Sequence, residues 1–289
     1  MIKKGIILAG GTGSRLGPLT LSVSKQLLPL YDKPMIYYSL SVLMLANIKD
    51  ILIIVKKGDL KNFEKLLGNG KNLGIKISFI EQESPRGLPD AFIIAEKFIS
   101  KQSVMMILGD NFFYGQGFGS DLFNISQKSK PTIFIKEVDD PENFGVAKIV
   151  NKKIIQIKEK PKNKFSKFAI TGLYIFDKNV SIYSKKLKPS KRGELEITDL
   201  IKVYLKKNNL NYKLLGRGLV WKDSGQIQDL HQISNFISSV QNLQNILIGS
   251  IEEISLIKKW ITKHDFKILL KNKSSAYYEN LKKKYLLSF

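Results

Sequence analysis

The chain has 289 residues, 43% of them hydrophobic, no cysteine, and 47 Lys and Arg against 25 Asp and Glu, for a formal charge of +22. The length allows one large domain or two smaller ones. The composition excludes disulfide and thiolate chemistry, and no run of about 18 uncharged apolar residues is present to span a membrane. The charge excess invites a nucleic-acid partner, but it is mostly lysine, spread along the chain beside Asn and Ile, as A+T-rich codon usage would give. No zinc-finger spacing, RNP-like aromatic motif or basic-region heptad accompanies it. Neither a nucleic acid nor a membrane is expected as a partner; a basic surface that attracts anionic nucleotides is. Met1-Ile-Lys-Lys runs into the first strand without a cleavage-site pattern, so it does not read as a signal peptide; with no cysteine, a cytoplasmic location is the default expectation.

In chain order, Gly5 to Ala9 is an apolar strand that breaks into Gly10, Gly11, Thr12 and Gly13. Such a run lets backbone N–H groups approach a phosphate. Arg15 and Lys25 follow, with the charge that a polyphosphate needs. No Lys-Ser or Lys-Thr stands at the spacing of a Walker A loop. Leu16 occupies the third glycine position of a dinucleotide fingerprint, so that motif also fails. Pro34 opens a helix to about Ala46, with apolar residues at Ile36, Leu40, Leu43 and Met44. Asp50 to Val55 is a strand buried on both faces, Leu60 to Leu67 a helix, and Lys76 to Glu81 a third strand. Strands alternating with helices predict a Rossmann-like, three-layer α/β fold with a mostly parallel sheet.

Gln82 stands just past the third strand, where open α/β sheets collect ligands. Its amide offers a donor and an acceptor to a pyrimidine edge; a loop cap is the alternative. Gly87 opens a helix from Leu88 to Phe98. Ser103 to Leu108 is a buried strand ending in Gly109-Asp110-Asn111, and a carboxylate there suits metal or phosphate work. Strands at Thr132–Glu137, Gly145–Val150 and Lys153–Lys158 form an expected antiparallel insertion covering the sheet edge. Glu159 and Lys160 lie just beyond it. Phe168–Phe176 is a strand containing Thr171 and Gly172, and a glycine there marks close approach by a ligand or by backbone. Helices follow at about Asn179–Lys186 and Ile197–Lys207, and short strands at Tyr212–Leu215 and Leu219–Lys222. Asp223 comes next, a possible second metal ligand or a helix N-cap, then a helix over Gln226–Gln241. Glu252 to Leu287 reads as helical. The expected division is a catalytic domain over 1–240 and a small C-terminal helical subdomain over 241–289.

Several blocks in order resemble the sugar-phosphate nucleotidyltransferases, most nearly the glucose-1-phosphate thymidylyltransferases. They are Leu8-Ala-Gly-Gly-Thr-Gly-Ser-Arg-Leu16, Ser24-Lys-Gln-Leu-Leu-Pro29, Asp32-Lys-Pro-Met-Ile36, Leu108-Gly-Asp-Asn111, Glu159-Lys-Pro161, Thr171-Gly-Leu-Tyr174, Arg192 to Asp199 and Trp221-Lys-Asp-Ser-Gly225. The resemblance covers roughly residues 4 to 240. It implies nucleotidyl transfer from dTTP to glucose 1-phosphate by single displacement, with UTP as an alternative nucleotide. It implies that Arg15 binds the β and γ phosphates and that Lys25 and Lys160 neutralise the leaving and attacking groups. Asp110 and Asp223 would hold Mg²⁺ on the α-phosphate, Gln82 would contact the thymine, and Glu159 would hold sugar hydroxyls. Gly10, Gly11, Thr12, Gly13 and Gln26, then Gly87, Gly145, Thr171 and Gly172, are the other expected binding positions. A homotetramer is also implied. Three positions depart from the family pattern: Gly17, Phe144 and Lys222.

Overall fold

The computed structural model describes residues 1–163 and 165–286. Positions 287–289, the end of the expected C-terminal stretch, lie outside the described residues. The first half alternates strand and helix. It runs β1 (Lys4–Ala9), β2 (Pro29–Leu30), β3 (Lys33–Pro34), α1 (Met35–Leu45), β4 (Asp50–Lys56), α2 (Leu60–Leu67), β5 (Lys76–Gln82), α3 (Asp90–Ile94), α4 (Glu96–Ile99) and β6 (Val104–Leu108). Next come β7 (Asn111–Tyr114), α5 (Phe118–Lys128), β8 (Thr132–Glu137), β9 (Gly145–Val150), β10 (Lys153–Glu159) and β11 (Phe168–Phe176). The chain goes on through α6 (Val180–Lys185), α7 (Ile197–Lys206), β12 (Asn211–Leu214), β13 (Val220–Asp223) and α8 (Ile227–Gln244). It closes with α9 (Ile251–Ile257), α10 (Lys263–Leu270) and α11 (Ala276–Tyr285).

Among the described residues, one nine-stranded sheet carries the fold, in the order β10-β9-β11-β6-β1-β4-β5, with β8 beside β11 and β12 beside β8. Its centre, β6-β1-β4-β5, is parallel throughout. β11 runs antiparallel to β6. The expected insertion does not cover the sheet edge: β9 pairs with β11 and β10 with β9, so it extends the same sheet.

The three layers follow from period-two alternation. In β1, Ile7 faces one core and Ile6 the other; in β4, Ile51, Ile53 and Val55 face the first, Leu52 and Ile54 the second. Side chains on a strand alternate between faces, so a strand covered on both sides must be apolar at every position. The first core is closed by α1, α2 and α5 through Leu40, Leu43, Phe63, Leu67 and Leu122. The second is closed by α3, α4, α6 and α7 through Phe92, Ile99, Val180, Leu200 and Tyr204. The helix expected over Leu88–Phe98 is two short ones, α3 and α4, meeting at Ala95.

The expected division at 240/241 falls inside α8, which runs unbroken to Gln244. The C-terminal helices are tied to the loop around β3. Gln241 Nε2 donates to Asp32 Oδ2 at 3.0 Å. The buried Lys33 ammonium lies over the rings of Tyr38 and Tyr277, at 5.1 and 4.9 Å. Burial lowers the Lys33 pKa, and Asp32 opposes that shift. Glu252, 2% exposed, accepts from the Tyr277 hydroxyl at 2.5 Å. Burial raises the Glu252 pKa, and that hydrogen bond works against it. No helix among the described residues is long and apolar enough to cross a membrane.

A buried acceptor stripped of its donor costs about 1–3 kcal/mol. Tyr277→Phe should therefore destabilise the protein by that amount in a denaturant titration. A change under about 0.5 kcal/mol would show that Glu252 finds other donors.

Candidate active site

The carboxyl ends of the central parallel strands meet along one edge. β1 ends at Ala9 and leads into the glycine loop, β5 ends at Gln82, and β6 ends at Leu108, two residues before Asp110. Gly13 takes φ +64°, a left-handed conformation that opens a single 3₁₀ turn over Ser14–Leu16. Thr20 Oγ1 donates to Gly13 O at 2.9 Å and pins the loop. A second 3₁₀ turn, Lys25–Leu27, carries Lys25 inward. Lys25 is 5% exposed, and its Nζ stands 2.7 Å from Asp110 Oδ2.

The second carboxylate arrives from far along the chain. β13 pairs antiparallel with β7, Asp223 opposite Asn111 and Trp221 opposite Phe113. Asn111 locks this ribbon to the sheet. Its Oδ1 accepts from Trp221 Nε1 at 2.7 Å and from Gly172 N at 3.0 Å, and its Nδ2 donates to Asp110 Oδ1 at 3.1 Å. Ser224 donates to Asp110 O through N at 3.0 Å and Oγ at 2.7 Å. Asp110 and Asp223 thus lie in one corner. Arg15 lies across it, its guanidinium against Gly225, where an added β-carbon would come within 3.2 Å.

Burial first, and then the neighbouring Asp110, push Asp223 from its ordinary 3.8 up to about 7; Lys25 and Arg15 oppose the shift. Asp223 Oδ1 is buried and, among the described residues, has no hydrogen-bond partner.

Two adjoining cavities open on this edge and share Arg15, Leu88, Leu108 and Glu194. The smaller, about 350 Å³, is walled by Gly11, Gln26, Gln82, Gly87 and Asp110. Gly87 takes φ +101°, and a β-carbon there would meet Leu195 O at 2.1 Å, so no other residue fits. The larger, about 540 Å³, is walled by Gly145, Glu159, Lys160, Gly172, Arg192, Trp221 and Asp223. Thr198 Oγ1 donates to Glu159 Oε2 at 3.0 Å. Burial raises the Glu159 pKa, and the Thr198 hydrogen bond pulls against it. Lys160 takes φ +37° and donates its N–H to Phe144 O at 3.0 Å. A left-handed lysine is strained, and such strain gathers at functional sites.

Several expected positions play other parts. Thr171 points away from the cavity: its hydroxyl is buried and donates to Phe134 O at 2.9 Å. Ile170, Gly172 and Tyr174, on the opposite parity of β11, line the cavity instead. Gly172 makes room for protein: a β-carbon there would lie 2.5 Å from Asn111 Oδ1. Gly10 likewise makes room for Gln82, whose Oε1 would meet a β-carbon at 2.5 Å. Thr12 and Gly13 wall neither cavity and shape the loop. Arg192 was not singled out as a site residue by sequence, although it begins a matched block. It reaches the larger cavity held by Glu196, with Nη2 2.8 Å from Oε2. Burial raises the Glu196 pKa, but the hydrogen bonds from Arg192 and Ser190 outweigh it and leave the carboxyl below its ordinary range.

The raised Asp223 value carries a stability signature. Its folded pKa, about 7, exceeds the ordinary 3.8, so ionisation of this group weakens the fold above about pH 7 and not below about pH 4. In metal-free protein, Asp223→Asn should raise stability at about pH 8 by on the order of 1–3 kcal/mol. That gain should close as the pH falls towards 4. A gain independent of pH in denaturant titrations would contradict the raised value.

Comparisons with known proteins identify the family. A family model described as nucleotidyl transferase matches residues 4–240. A glucose-1-phosphate thymidylyltransferase of Neisseria gonorrhoeae is 49% identical over 277 residues, 95% of this chain and 96% of that one. One from Xanthomonas campestris is 46% identical, over 98% of both chains. A Bacillus anthracis structure named as a glucose-1-phosphate thymidylyltransferase superposes with a TM-score of 0.74 at 41% identity, covering 81% of this chain and 94% of that one. A UDP-glucose pyrophosphorylase, at 24% identity and a TM-score of 0.73, shares the fold. The chain belongs to the nucleotidyl transferase family, alongside the glucose-1-phosphate thymidylyltransferases.

Proposed function

We propose that this chain transfers a thymidylyl group from dTTP to glucose 1-phosphate, forming dTDP-glucose and releasing pyrophosphate. The observation that carries this reading is the corner where Arg15, Lys25, Asp110 and Asp223 stand at the junction of two cavities. One cavity has the amide and glycines suited to a base, the other the carboxylate and cations suited to a sugar phosphate. A phosphate oxygen of the sugar phosphate attacks the α-phosphorus, and pyrophosphate leaves. No covalent nucleophile is needed; alignment and charge neutralisation suffice. Arg15, exposed at the mouth, would take the β and γ phosphates. Lys25 and Lys160 would meet the leaving and attacking groups. Glu159, fixed by Thr198, would accept from sugar hydroxyls, and Gln82 would read the base.

Mg²⁺ fits the corner. The buried Asp223 Oδ1, without a hydrogen-bond partner among the described residues, is an acceptor in want of a cation, and Asp110 stands beside it. The two carboxylates would hold the ion, which when bound offsets the repulsion between phosphate groups. The family resemblance further points to a homotetramer in the cytoplasm, which sedimentation of the purified protein and fractionation of cells test.

Pyrophosphate release across dTTP, UTP and other triphosphates, each with several sugar 1-phosphates and with or without Mg²⁺, tests the whole reading. The largest kcat/KM should belong to dTTP with glucose 1-phosphate; a clear preference for UTP would replace the nucleotide. Arg15→Ala should lower kcat/KM by about 100-fold or more without loss of fold. Asp110→Asn and Asp223→Asn should each remove most activity, and together cost far less than the product of the two losses. Independent effects would argue against a shared ion.

A further inference from the structure

One buried carboxylate sets which way the Gln82 amide faces. Asp90, at the start of α3, is 1% exposed. Its Oδ2 accepts from Gln82 Nε2 at 2.9 Å, and its Oδ1 accepts from Arg86 Nη2 at 2.8 Å. A carboxylate accepts and does not donate, so only the nitrogen end of the amide can satisfy it. Gln82, itself 4% exposed and part of the wall of the smaller cavity, therefore keeps Nε2 against Asp90 and sets Oε1 against Gly10, beside the cavity-lining Gly11. Only a glycine at position 10 leaves space for that oxygen.

We propose that Asp90 is the positioning residue for nucleobase choice: by fixing the polarity of Gln82, it selects an imide edge, as in thymine or uracil, over cytosine. This rests on the reading of Gln82 as the base contact. An imide N3–H donates to Oε1, and a flanking carbonyl accepts the remaining Nε2 hydrogen. Cytosine offers an acceptor at N3 and a donor at N4, so both partners are reversed. A flipped amide would suit cytosine, but it would set Oε1 against the Asp90 carboxylate.

Asp90→Asn separates this role from a merely structural one. The charged Arg86 draws the new Oδ1, because charge-assisted bonds are the stronger ones. The new NH₂ then faces Gln82, and the amide must flip to accept from it. The ratio of kcat/KM for dTTP to that for dCTP should fall by about 100-fold, since each reversed bond is worth about tenfold. KM for glucose 1-phosphate should stay within about twofold. Adding Arg86→Ala to Asp90→Asn frees the Asn carbonyl to face Gln82 and should restore part of the ratio. Asp90→Ser, whose hydroxyl can accept or donate, should lower the ratio by about tenfold and serves if Asp90→Asn fails to melt cooperatively. An unchanged ratio in whichever variant folds, with both nucleotides losing rate equally, overturns the proposal. Gln82→Ala is measured alongside. If it abolishes the preference while Asp90→Asn keeps it, only the role of Asp90 falls; if it leaves the preference intact, the base contact falls as well.

Discussion

The register of one short ribbon governs the site. β7 and β13 share four residue pairs, and Asp223 lies opposite Asn111 only in that register. A slip by one residue would move every side chain of β13 to the other face. Asp223 would leave the corner, and Trp221 would lose its bond to Asn111. Asn111 prevents the slip by holding β13, β11 and Asp110 at once through one carbonyl and one amine. Two carboxylates are thereby forced together in a buried place, and the surrounding cations answer that repulsion. Lys25 pairs directly with Asp110, and Arg15 lies across the mouth.

Much of this architecture was legible in the amino-acid order. Central strands with apolar residues at every position read as covered on both faces, and Leu52, Ile53 and Ile54 show why: neighbours serve opposite cores. The glycine loop, Lys25 and Asp110 were legible because they directly follow such strands or lie in matched blocks. The strand at β13 was read within a residue, but β7 and its pairing with β13 were harder. Each is four residues long, and no local period couples positions so distant in the chain. α5 escaped notice because its buried apolar residues, Phe118 and Leu122, are few among polar neighbours. Thr171 was misplaced by parity, since a motif marks a stretch of strand and not the face each residue takes. The role of Asp90 is invisible in sequence, because a carboxylate opening a helix looks like any first-turn acid.

The three departures from the family pattern have different physical outcomes. Lys222 adds a charge beside Asp223, but its Nζ lies 3.9 Å from Asp229, in the first turn of α8. The charge is directed at a helix start and away from the carboxylate corner. Phe144 lacks a hydroxyl, and its ring sits 5.0 Å from that of Trp221 in the larger cavity. That wall is therefore apolar, and the polar contacts there fall to Glu159, Lys160 and Arg192. Gly17 follows the 3₁₀ turn of the loop, and nothing in the structure explains why it is a glycine.

The formal charge of +22 and the site have to be weighed separately. The cavities are not uniformly basic: Glu159, Glu194, Glu196, Asp110 and Asp223 wall them beside Arg15, Lys160 and Arg192. A surface built to follow a nucleic-acid backbone would set lysines along a continuous stripe, with few carboxylates between them. Here two of the cations are paired with carboxylates, Lys25 with Asp110 and Arg192 with Glu196. Such pairing holds a side chain in one geometry before a phosphate arrives, which alignment of an attacking group requires. The surplus lysines lie elsewhere and act over no more than about a Debye length, roughly 8 Å at physiological salt. They raise the rate at which a triphosphate finds the protein. On the proposed reading, which phosphate reacts would be decided within the corner, where, among the described residues, Asp223 Oδ1 has no hydrogen-bond partner.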